Sequence, residues 1–157
     1  MLQVGSTAPA FELPDASMEM IQLSSFRGKK NVVLYFYPRD GTPGCTMEAI
    51  DFSDHEDSFT ECDTVVFGVS RDDCLVHEEF RDKHGISLQL LSDAECEVMK
   101  KYDVLTEMDH NGATRSCVHR MTFVIDKKGK VRHILRDLNP RQHAHEVLKI
   151  VRQMHGH

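Results

Sequence analysis

Apolar and polar positions along the chain alternate in a way that predicts strands and helices in mixed order. Residues 32–37 and 64–70 form short apolar runs rich in β-branched and aromatic side chains. Such runs are typical of strands buried on both faces, as in the interior of a parallel sheet. Between them, apolar residues recur at helical spacing over 49–59, which predicts a helix that begins at or beside Cys45. A strand, a helix and a second strand in this order form a right-handed crossover with parallel strands.

Polar residues and glycines mark the predicted ends of the elements that follow. Either aspartate at 72–73 is a suitable N-cap for a helix over 73–83, and Gly85 then stops that helix. Asp93 is a similar N-cap and predicts a further helix that reaches Tyr102. The middle of the chain therefore continues the alternation of strands and helices.

The two ends of the chain complete the predicted pattern. Residues 9–28 contain two short apolar segments around a turn, which predicts a hairpin before the main sheet. Residues 106–116 are polar, contain an Asn-Gly pair and predict an exposed loop. Strands are predicted over 118–125 and 130–135, joined by a glycine-containing turn, and the apolar residues of 144–154 follow a helical spacing.

This order of elements predicts an α/β architecture of the thioredoxin-like type. Parallel strands and a terminal hairpin make a central mixed sheet, helices flank the sheet, and the N-terminal hairpin is an extension. No repeat, low-complexity tract or linker divides the sequence. We therefore expect one domain over residues 1–157, long enough to bury a substantial core.

Composition and charge narrow the classes of function. The 157 residues are 40% hydrophobic and 28% charged, and the net charge of −6 argues against nucleic acid or an anionic membrane as a partner. No apolar run reaches the roughly 18 residues of a membrane span, and the first residues do not resemble a secretory signal. The five cysteines form no C-x-x-C pair, which fits a reducing cytoplasm better than a secreted disulfide framework.

The ten histidines raise the question of a metal site. The His-x-His pairs at 143–145 and 155–157 have no zinc-type motif beside them, and they fall between the apolar positions of the last helix. A solvated face is therefore expected for them. His77 and Arg71 are expected as surface or capping groups, and the Arg39–Asp40 pair is expected to face solvent. We predict neither a metal nor an organic cofactor.

The strongest candidate for chemistry is Cys45. Pro38 ends the 32–37 strand, and a turn rich in glycine and proline then leads to the cysteine in the first helical turn. Unpaired N–H groups and the helix dipole stabilise an anion at such a position, and the thiolate is the nucleophilic form of cysteine. Thr42 can aim its hydroxyl at the sulfur or at an oxygen that the sulfur attacks. The alternative is a small, buried and inert cysteine at a helix start.

The residues around Cys45 resemble the active-site signature of the peroxiredoxins. The pattern Pro38-x-x-x-Thr42-x-x-Cys45 follows an aromatic strand and is similar to theirs. The longer string over 37–49 resembles their PrxQ branch, also called bacterioferritin comigratory protein. The likeness extends over nearly the whole chain in four further blocks: Gly5-x-x-Ala8-Pro9-x-Phe11-x-Leu13-Pro14, Phe67-Gly68-Val69-Ser70-Arg71-Asp72, Leu90-Leu91-Ser92-Asp93 and Arg120-x-Thr122-Phe123-Val124-Ile125-Asp126.

The resemblance implies a thiol-dependent peroxidase that reduces hydrogen peroxide and organic hydroperoxides in antioxidant defence. Cys45 would attack the peroxide as a thiolate and become a sulfenic acid. Thr42 and backbone N–H groups would hold the peroxide oxygens, and Pro38 belongs to the same signature. Arg120 stands at the position of the family's arginine, whose permanent charge stabilises both thiolate and transition state. Glu48 would orient that guanidinium. Without the resemblance, Arg120 is interpreted as a surface cation and Glu48 as a favourable carboxylate at a helix start.

The sequence departs from the family pattern where the sulfenic acid must be resolved. Many PrxQ proteins carry a resolving cysteine five residues after the reactive one, where this chain has Ile50, and others carry it in the next helix, where this chain has Arg81. Cys74, two helical turns before Arg81 on the same face, is the best remaining candidate, and a packing role for it is an equally open alternative. If no cysteine of the chain reaches Cys45, an external thiol such as thioredoxin, glutaredoxin or a low-molecular-weight thiol attacks the sulfenic acid.

Two classes of function stay open at this point. The first is the thiol peroxidase, expected as a monomer in the cytoplasm. The second is a thioredoxin-fold protein for redox sensing or binding, in which Cys45 reacts with little turnover. A disulfide oxidoreductase is disfavoured because C-x-x-C is lacking. Of the remaining cysteines, Cys62 and Cys96 are expected to be packing residues, and Cys117 is a more remote candidate for reactivity.

Overall fold

The computed structural model describes residues 2–110, 112–136 and 141–155. Within these ranges the chain alternates strands and helices after a short hairpin and a 3-10 turn at Leu23–Phe26. The strands are β1 (Glu12–Pro14), β2 (Met20–Gln22), β3 (Asn31–Phe36), β4 (Thr64–Ser70), β5 (Gln89–Ser92), β6 (Leu105–His110), β7 (Ala113–Val118), β8 (Met121–Ile125) and β9 (Val131–Arg136). The helices are α1 (Pro43–Asp54), α2 (Glu56–Glu61), α3 (Cys74–His84), α4 (Glu97–Lys101) and α5 (His143–His155).

The main sheet has the strand order β5-β4-β3-β8-β9. β3 pairs in parallel with β4, and β4 in parallel with β5. β8 runs antiparallel to β3, and β9 runs antiparallel to β8. The predicted mixed α/β architecture is therefore confirmed, together with the parallel crossover through α1 and the N-terminal hairpin, which is the β1–β2 ribbon.

β3 lies at the centre of this sheet and is buried along its whole length. Its side chains alternate between the two faces, as the period of a strand requires. Leu34 and Phe36 belong to the hydrophobic cluster on one face, and Val33 and Tyr35 belong to the cluster on the other. Helices α1, α2, α3 and α5 contribute to the second cluster, so the second face is the one that meets the helix carrying Cys45.

The polar segment 106–116, predicted as an exposed loop, is a strand ribbon. β6 and β7 pair antiparallel, with Leu105 opposite Val118 at one end and His110 opposite Ala113 at the other. The described side chains at 106–107 and 116–117 are exposed. A ribbon with polar side chains gives no alternation of apolar residues, which is why the pattern missed both strands.

Two other predicted elements are interrupted. The helix expected over 49–59 divides at His55, whose ring Nδ1 lies 2.8 Å from the carbonyl oxygen of Asp51. The strand expected over 118–125 also divides. β7 ends at Val118 and β8 begins at Met121, so His119 and Arg120 lie between the two strands. Since Met121 pairs with Phe36, this break places Arg120 beside the carboxyl end of β3.

The helix predicted after β4 is confirmed with its caps. The Asp73 carboxylate accepts the N–H of Val76 at 2.9 Å, and Gly85 ends α3 with a φ of 63°. α4 is shorter than predicted, and the Asp93 carboxylate accepts the N–H of Met99 at 2.8 Å. In the part of the chain that is described, every helix is too short or too polar to cross a bilayer.

Candidate active site

Helix α1 begins at the carboxyl end of β3 with Cys45 in its first turn. Thr42 is the N-cap residue, and its Oγ1 accepts the N–H of Cys45 at 3.3 Å. Pro43 opens the helix, where the N–H that proline lacks has no helical partner in any case. Cys45 is only 1% exposed, so its sulfur lies inside a nearly closed site. The predicted place of the cysteine at the helix start is confirmed.

Arg120 reaches the sulfur from the break before β8. Its Nη2 donates to the Sγ of Cys45 at 3.0 Å. Its Nη1 lies 3.7 Å from Oε1 of Glu48 and is a buried donor that makes no hydrogen bond to any described residue. A guanidinium only donates, so the sulfur is the acceptor, a role that the thiolate fills best. The structure thus brings together Cys45, Thr42, Arg120 and Glu48.

The Glu48 oxygen that does not face Arg120 contacts a histidine that was expected to face solvent. Oε2 of Glu48 lies 2.5 Å from Nδ1 of His143, and Nε2 of His143 lies 2.5 Å from Oγ1 of Thr122. His143 is 5% exposed, so the solvated face predicted for it is wrong, whereas His145 is exposed as expected. A signal was present in the sequence, because His143 stands four residues before Val147 and therefore on the apolar face of α5.

A cluster of aromatic rings supports this carboxylate and its histidine. The rings of Tyr35 and Phe52 stack at 4.8 Å between centroids, and the rings of Phe52 and His143 form a T-shaped pair with centroids 5.0 Å apart. Burial raises the pKa of the Tyr35 hydroxyl well above its ordinary value, and the charges of Glu48 and Cys45 add to the rise. Tyr35 is therefore a neutral phenol. Gly68 lies against it so closely that a Cβ there would come within 2.7 Å of its hydroxyl oxygen.

A second buried histidine anchors the loop between β3 and α1. His77 of α3 has its Nδ1 2.5 Å from Oδ2 of Asp40 and its Nε2 3.0 Å from the carbonyl oxygen of Leu91. Tyr37 donates its hydroxyl to Oδ1 of Asp40 at 2.5 Å. Both predictions for these side chains are wrong: His77 is fully buried and the Asp40 side chain is 3% exposed. Spacing carried a signal, since His77 precedes the buried Phe80 by three residues.

Asp40 and His77, together with the partly buried Asp72, form the one carboxylate–histidine cluster with metal-ligand spacing among the described residues. The ligand atoms of Asp40, Asp72 and His77 lie within 4.8 Å of one another. Hydrogen bonds already engage them, because Asp72 accepts the N–H of Asp40 at 2.7 Å and the hydroxyl of Ser70 at 2.7 Å. The cluster therefore acts as an internal brace of the loop. Arg39, beside Asp40 in the sequence, and Arg71 are exposed as expected.

The five cysteines are all free thiols. Cys74 opens α3 and is partly buried, and burial, followed by the charges of Asp15 and Asp73, raises the pKa of its thiol. Cys62 is buried in the hydrophobic cluster on one face of the sheet, and Cys96 packs against the cluster on the other face, so both are packing residues as predicted. Cys117 is exposed on β7.

The other positions named from the sequence are also placed by the structure. Pro38 follows β3 and is partly exposed. Ile50, on α1, is 37% exposed. Arg81 donates to the carbonyl oxygens of Ile86 and Ser87 and so helps to close α3. Of the pair at 155–157, His155 is exposed as expected, and His157 lies outside the described residues.

Comparison with known proteins gives a consistent result. The model of the AhpC/TSA family matches residues 4–134. Peroxiredoxin Bcp of Bacillus subtilis is 39% identical over 98% of this chain and 97% of its own, and peroxiredoxin Bcp of Escherichia coli is 34% identical over 97% of each. A structure of the bacterioferritin comigratory protein of Xanthomonas campestris superposes with a TM-score of 0.88 at 28% identity, covering 99% of this chain and 98% of that one.

The fold, the order of the matching blocks and these relatives agree on one assignment. The neighbours share the thioredoxin-type sheet, and the matches span the segment that carries Cys45, Thr42 and Arg120. The expected resemblance is confirmed, and the alternative of a sensor with little turnover is not favoured. The chain belongs to the AhpC/TSA family as a peroxiredoxin of the Bcp/PrxQ type, and it is a thiol-dependent peroxidase.

Proposed function

We propose that Cys45 is the residue that attacks the peroxide. The observation that supports this most strongly is the 3.0 Å contact between Nη2 of Arg120 and the Cys45 sulfur. A permanent cation at that distance can pair with a negatively charged sulfur and with the charge that develops during its attack. The thiolate attacks the terminal peroxide oxygen, so that an S–O bond forms while the O–O bond breaks. Cysteine is oxidised to sulfenic acid, and the leaving oxygen takes a proton and departs as water or an alcohol.

The charge that develops on the leaving oxygen needs donors already in place. Nη1 of Arg120 has hydrogen-bonding capacity left, since it makes no hydrogen bond within the described part of the chain. The Thr42 hydroxyl uses its oxygen to accept from Cys45, which leaves its own proton available. The N–H of Gly44 belongs to the first turn of α1, beside the sulfur. We assign the holding of the two peroxide oxygens to these groups, with Pro38 shaping the loop.

Glu48 acts on the arginine and not on the peroxide. Its carboxylate is 2% exposed and lies 3.7 Å from Nη1 of Arg120. A buried carboxylate at this distance fixes the plane of the guanidinium and thereby the direction of Nη2 toward sulfur. Glu48 is thus a positioning residue for Arg120.

The substrate class is a peroxide, and we propose both hydrogen peroxide and organic hydroperoxides. The Xanthomonas campestris relative has an alkyl peroxide reduction activity. Because Cys45 is almost completely buried, we expect the peroxide to enter with its terminal oxygen first. The group on the other side of the O–O bond can then differ between substrates. Hydrogen peroxide and the terminal oxygens of an alkyl hydroperoxide both meet that condition.

We further propose that an external thiol completes the cycle. The family implies a thiol or thioredoxin reductant. A resolving cysteine must attack as a thiolate, and the raised pKa of Cys74 lowers the thiolate fraction of that side chain near neutral pH. The Asp15 and Asp73 charges that raise this pKa would also oppose a negative sulfur at Cys74. Thioredoxin, glutaredoxin and small thiols are the candidates, and a monomer in the cytoplasm is the expected setting.

The test compares single cysteine variants in a peroxide consumption assay with thioredoxin or a small thiol as the reductant. Cys45→Ser is expected to abolish consumption, because serine offers no thiolate. Cys74→Ser and Cys117→Ser are expected to retain it, and the exposed Cys117 serves as the matched control. Full activity in Cys45→Ser would overturn the assignment of the attacking residue. Loss of turnover in Cys74→Ser, with Cys45 still oxidised, would assign the resolving step to Cys74.

A further inference from the structure

His143 is separated from Arg120 by one residue, Glu48, and both of its ring nitrogens lie close to polar partners. Nδ1 lies 2.5 Å from Oε2 of Glu48, and Nε2 lies 2.5 Å from Oγ1 of Thr122. Thr122 is 2% exposed and His143 is 5% exposed. A buried imidazole with partners at both nitrogens has one allowed ring orientation, and that orientation is aimed at the Glu48 carboxylate.

Four different elements fix this ring. α5 supplies the histidine, β8 supplies Thr122, and the aromatic rings of Tyr35 and Phe52 meet its edge or face at 5.9 and 5.0 Å between centroids. Tyr35 is opposite Thr122 in the sheet, so the ring that packs against His143 and the hydroxyl that contacts its Nε2 belong to the same pair of strands, β3 and β8. The ring is therefore clamped by rigid parts of the fold, the arrangement that precise positioning needs.

The position of the shared proton decides what Glu48 can do. With the proton on Nδ1 of His143, Glu48 is a carboxylate that can face Arg120 with its other oxygen. With the proton on Glu48, the carboxyl group is neutral and its pull on the guanidinium is lost. The Thr122 hydroxyl can donate to Nε2, and this hydrogen bond is compatible with a ring that donates from Nδ1 to Glu48.

We propose that His143 is a positioning residue of the peroxidase, which holds the Glu48 carboxylate in place and so directs Arg120 at the Cys45 sulfur. The line of contacts runs from Thr122 through His143, Glu48 and Arg120 to Cys45. The proposal rests on the peroxidase function above, and it adds a residue that does not touch the sulfur. Without the histidine, Glu48 loses the partner of one oxygen, rotates, and releases the guanidinium from its present plane.

The experiment measures the second-order rate of Cys45 oxidation by peroxide in a set of variants. His143→Leu removes both hydrogen bonds, and the oxidation rate is expected to fall about ten- to a hundredfold, the effect of a misplaced catalytic group. His143→Asn keeps a donor near the place of Nδ1, and it is expected to restore the rate to within a few-fold of the parent. His145→Asn, on the exposed side of the same helix, is the matched control with an unchanged rate.

A double-variant cycle separates positioning from a general loss of structure. If His143 acts through Glu48, then His143→Leu has little further effect once Glu48→Gln is in place. Equal rates for the leucine variant and the parent would overturn the proposal, and so would equal losses in the leucine and asparagine variants. If the leucine variant does not fold, His143→Gln replaces it, because glutamine puts its amide near Nε2; it must then be slower than His143→Asn.

The same data keep the two claims apart. A parent protein whose Cys45 is oxidised rapidly, with no effect of any His143 variant, contradicts this inference and leaves the peroxidase assignment intact. A parent protein whose Cys45 is not oxidised contradicts the assignment itself.

Discussion

Helices α1 and α3 begin in nearly the same way and differ in the charges around their first turns. Each follows a parallel strand of the central sheet, each has a side-chain N-cap, and each carries a cysteine in its first turn. Beside Cys45 stands the guanidinium of Arg120, at 3.0 Å. Burial raises the pKa of the Cys74 thiol, and the charges of the Asp15 and Asp73 carboxylates add to the rise.

If Cys45 is the reactive cysteine, as proposed, the difference means that a helix start alone does not make a cysteine reactive. A helix dipole stabilises an anion by about 0.3–1 kcal/mol at an exposed site, and its influence is confined to the first turn. A full charge held close in a site that excludes water has a larger effect. The dipole is common to both helices, so we propose that the charges of the neighbouring side chains select Cys45 and not Cys74 as the nucleophile.

The two helix starts are also joined. Asp40, in the loop that leads to Cys45, contacts His77 of α3 at 2.5 Å, and its backbone N–H donates to Asp72 after β4. The loop that carries Thr42 is thus held against the start of the other helix. The start of α3 therefore anchors the loop that leads to Cys45.

Removing the cation at the first helix is expected to have the largest effect. Arg120→Ala should slow Cys45 oxidation by about 10²–10³-fold, the usual cost of losing a donor to a developing negative charge. The rate of peroxide oxidation under single-turnover conditions measures it. Arg71→Ala, an exposed arginine beside the start of α3, is the control with an unchanged rate. An Arg120→Ala protein that reacts as fast as the parent would contradict the account of the first helix start.

Breaking the link between the two helices is expected to affect mainly stability. His77→Leu leaves the Asp40 carboxylate buried without its histidine, and breaking a buried pair from one side costs about 3–5 kcal/mol. Urea unfolding should show this loss, whereas Glu79→Gln, exposed on the same helix, should stay within about 0.5 kcal/mol of the parent. Unchanged stability in the histidine variant would mean that the brace contributes nothing.

Changing the charge at the second helix start is expected to have the smallest effect. Asp73→Asn keeps an N-cap oxygen but removes one of the charges that raise the pKa of Cys74. The thiol pKa should therefore fall, the thiolate fraction near neutral pH should rise, and alkylation of Cys74 should become about two- to fivefold faster. The gain should disappear at a pH above both pKa values, where the thiol is ionised in either protein. An unchanged alkylation rate near neutral pH would contradict this prediction.

Local rules predicted the parts of the site that depend on one stretch of sequence. Pro38, Thr42 and Cys45 were predictable because strand, turn and helix start follow one another within a few residues. The role predicted for Arg120 came from the resemblance alone, since its contact with the sulfur arises from the pairing of β8 with β3. The catalytic assignment of these residues stays a prediction until it is tested.

The buried histidines were missed for a different reason. His143 and His77 are polar residues on helices with apolar stripes, and polar residues are usually assigned to the solvated side. Their partners, Glu48 and Asp40, are distant in sequence, at separations of 95 and 37 residues. The periodicity of apolar residues describes one helix at a time, so it does not reveal a carboxylate that another element supplies.

The most direct test of the account treats the reduced protein with one equivalent of peroxide and maps every cysteine by peptide mass spectrometry. The account predicts that Cys45 gains one oxygen as a sulfenic acid, trapped by a sulfenic-acid reagent, while Cys74 is recovered as a free thiol. A disulfide between the two would keep the claim for Cys45 and overturn resolution by an external thiol. Oxidation at Cys74 with Cys45 unmodified would contradict the central claim that the charges around each helix start select the reactive sulfur.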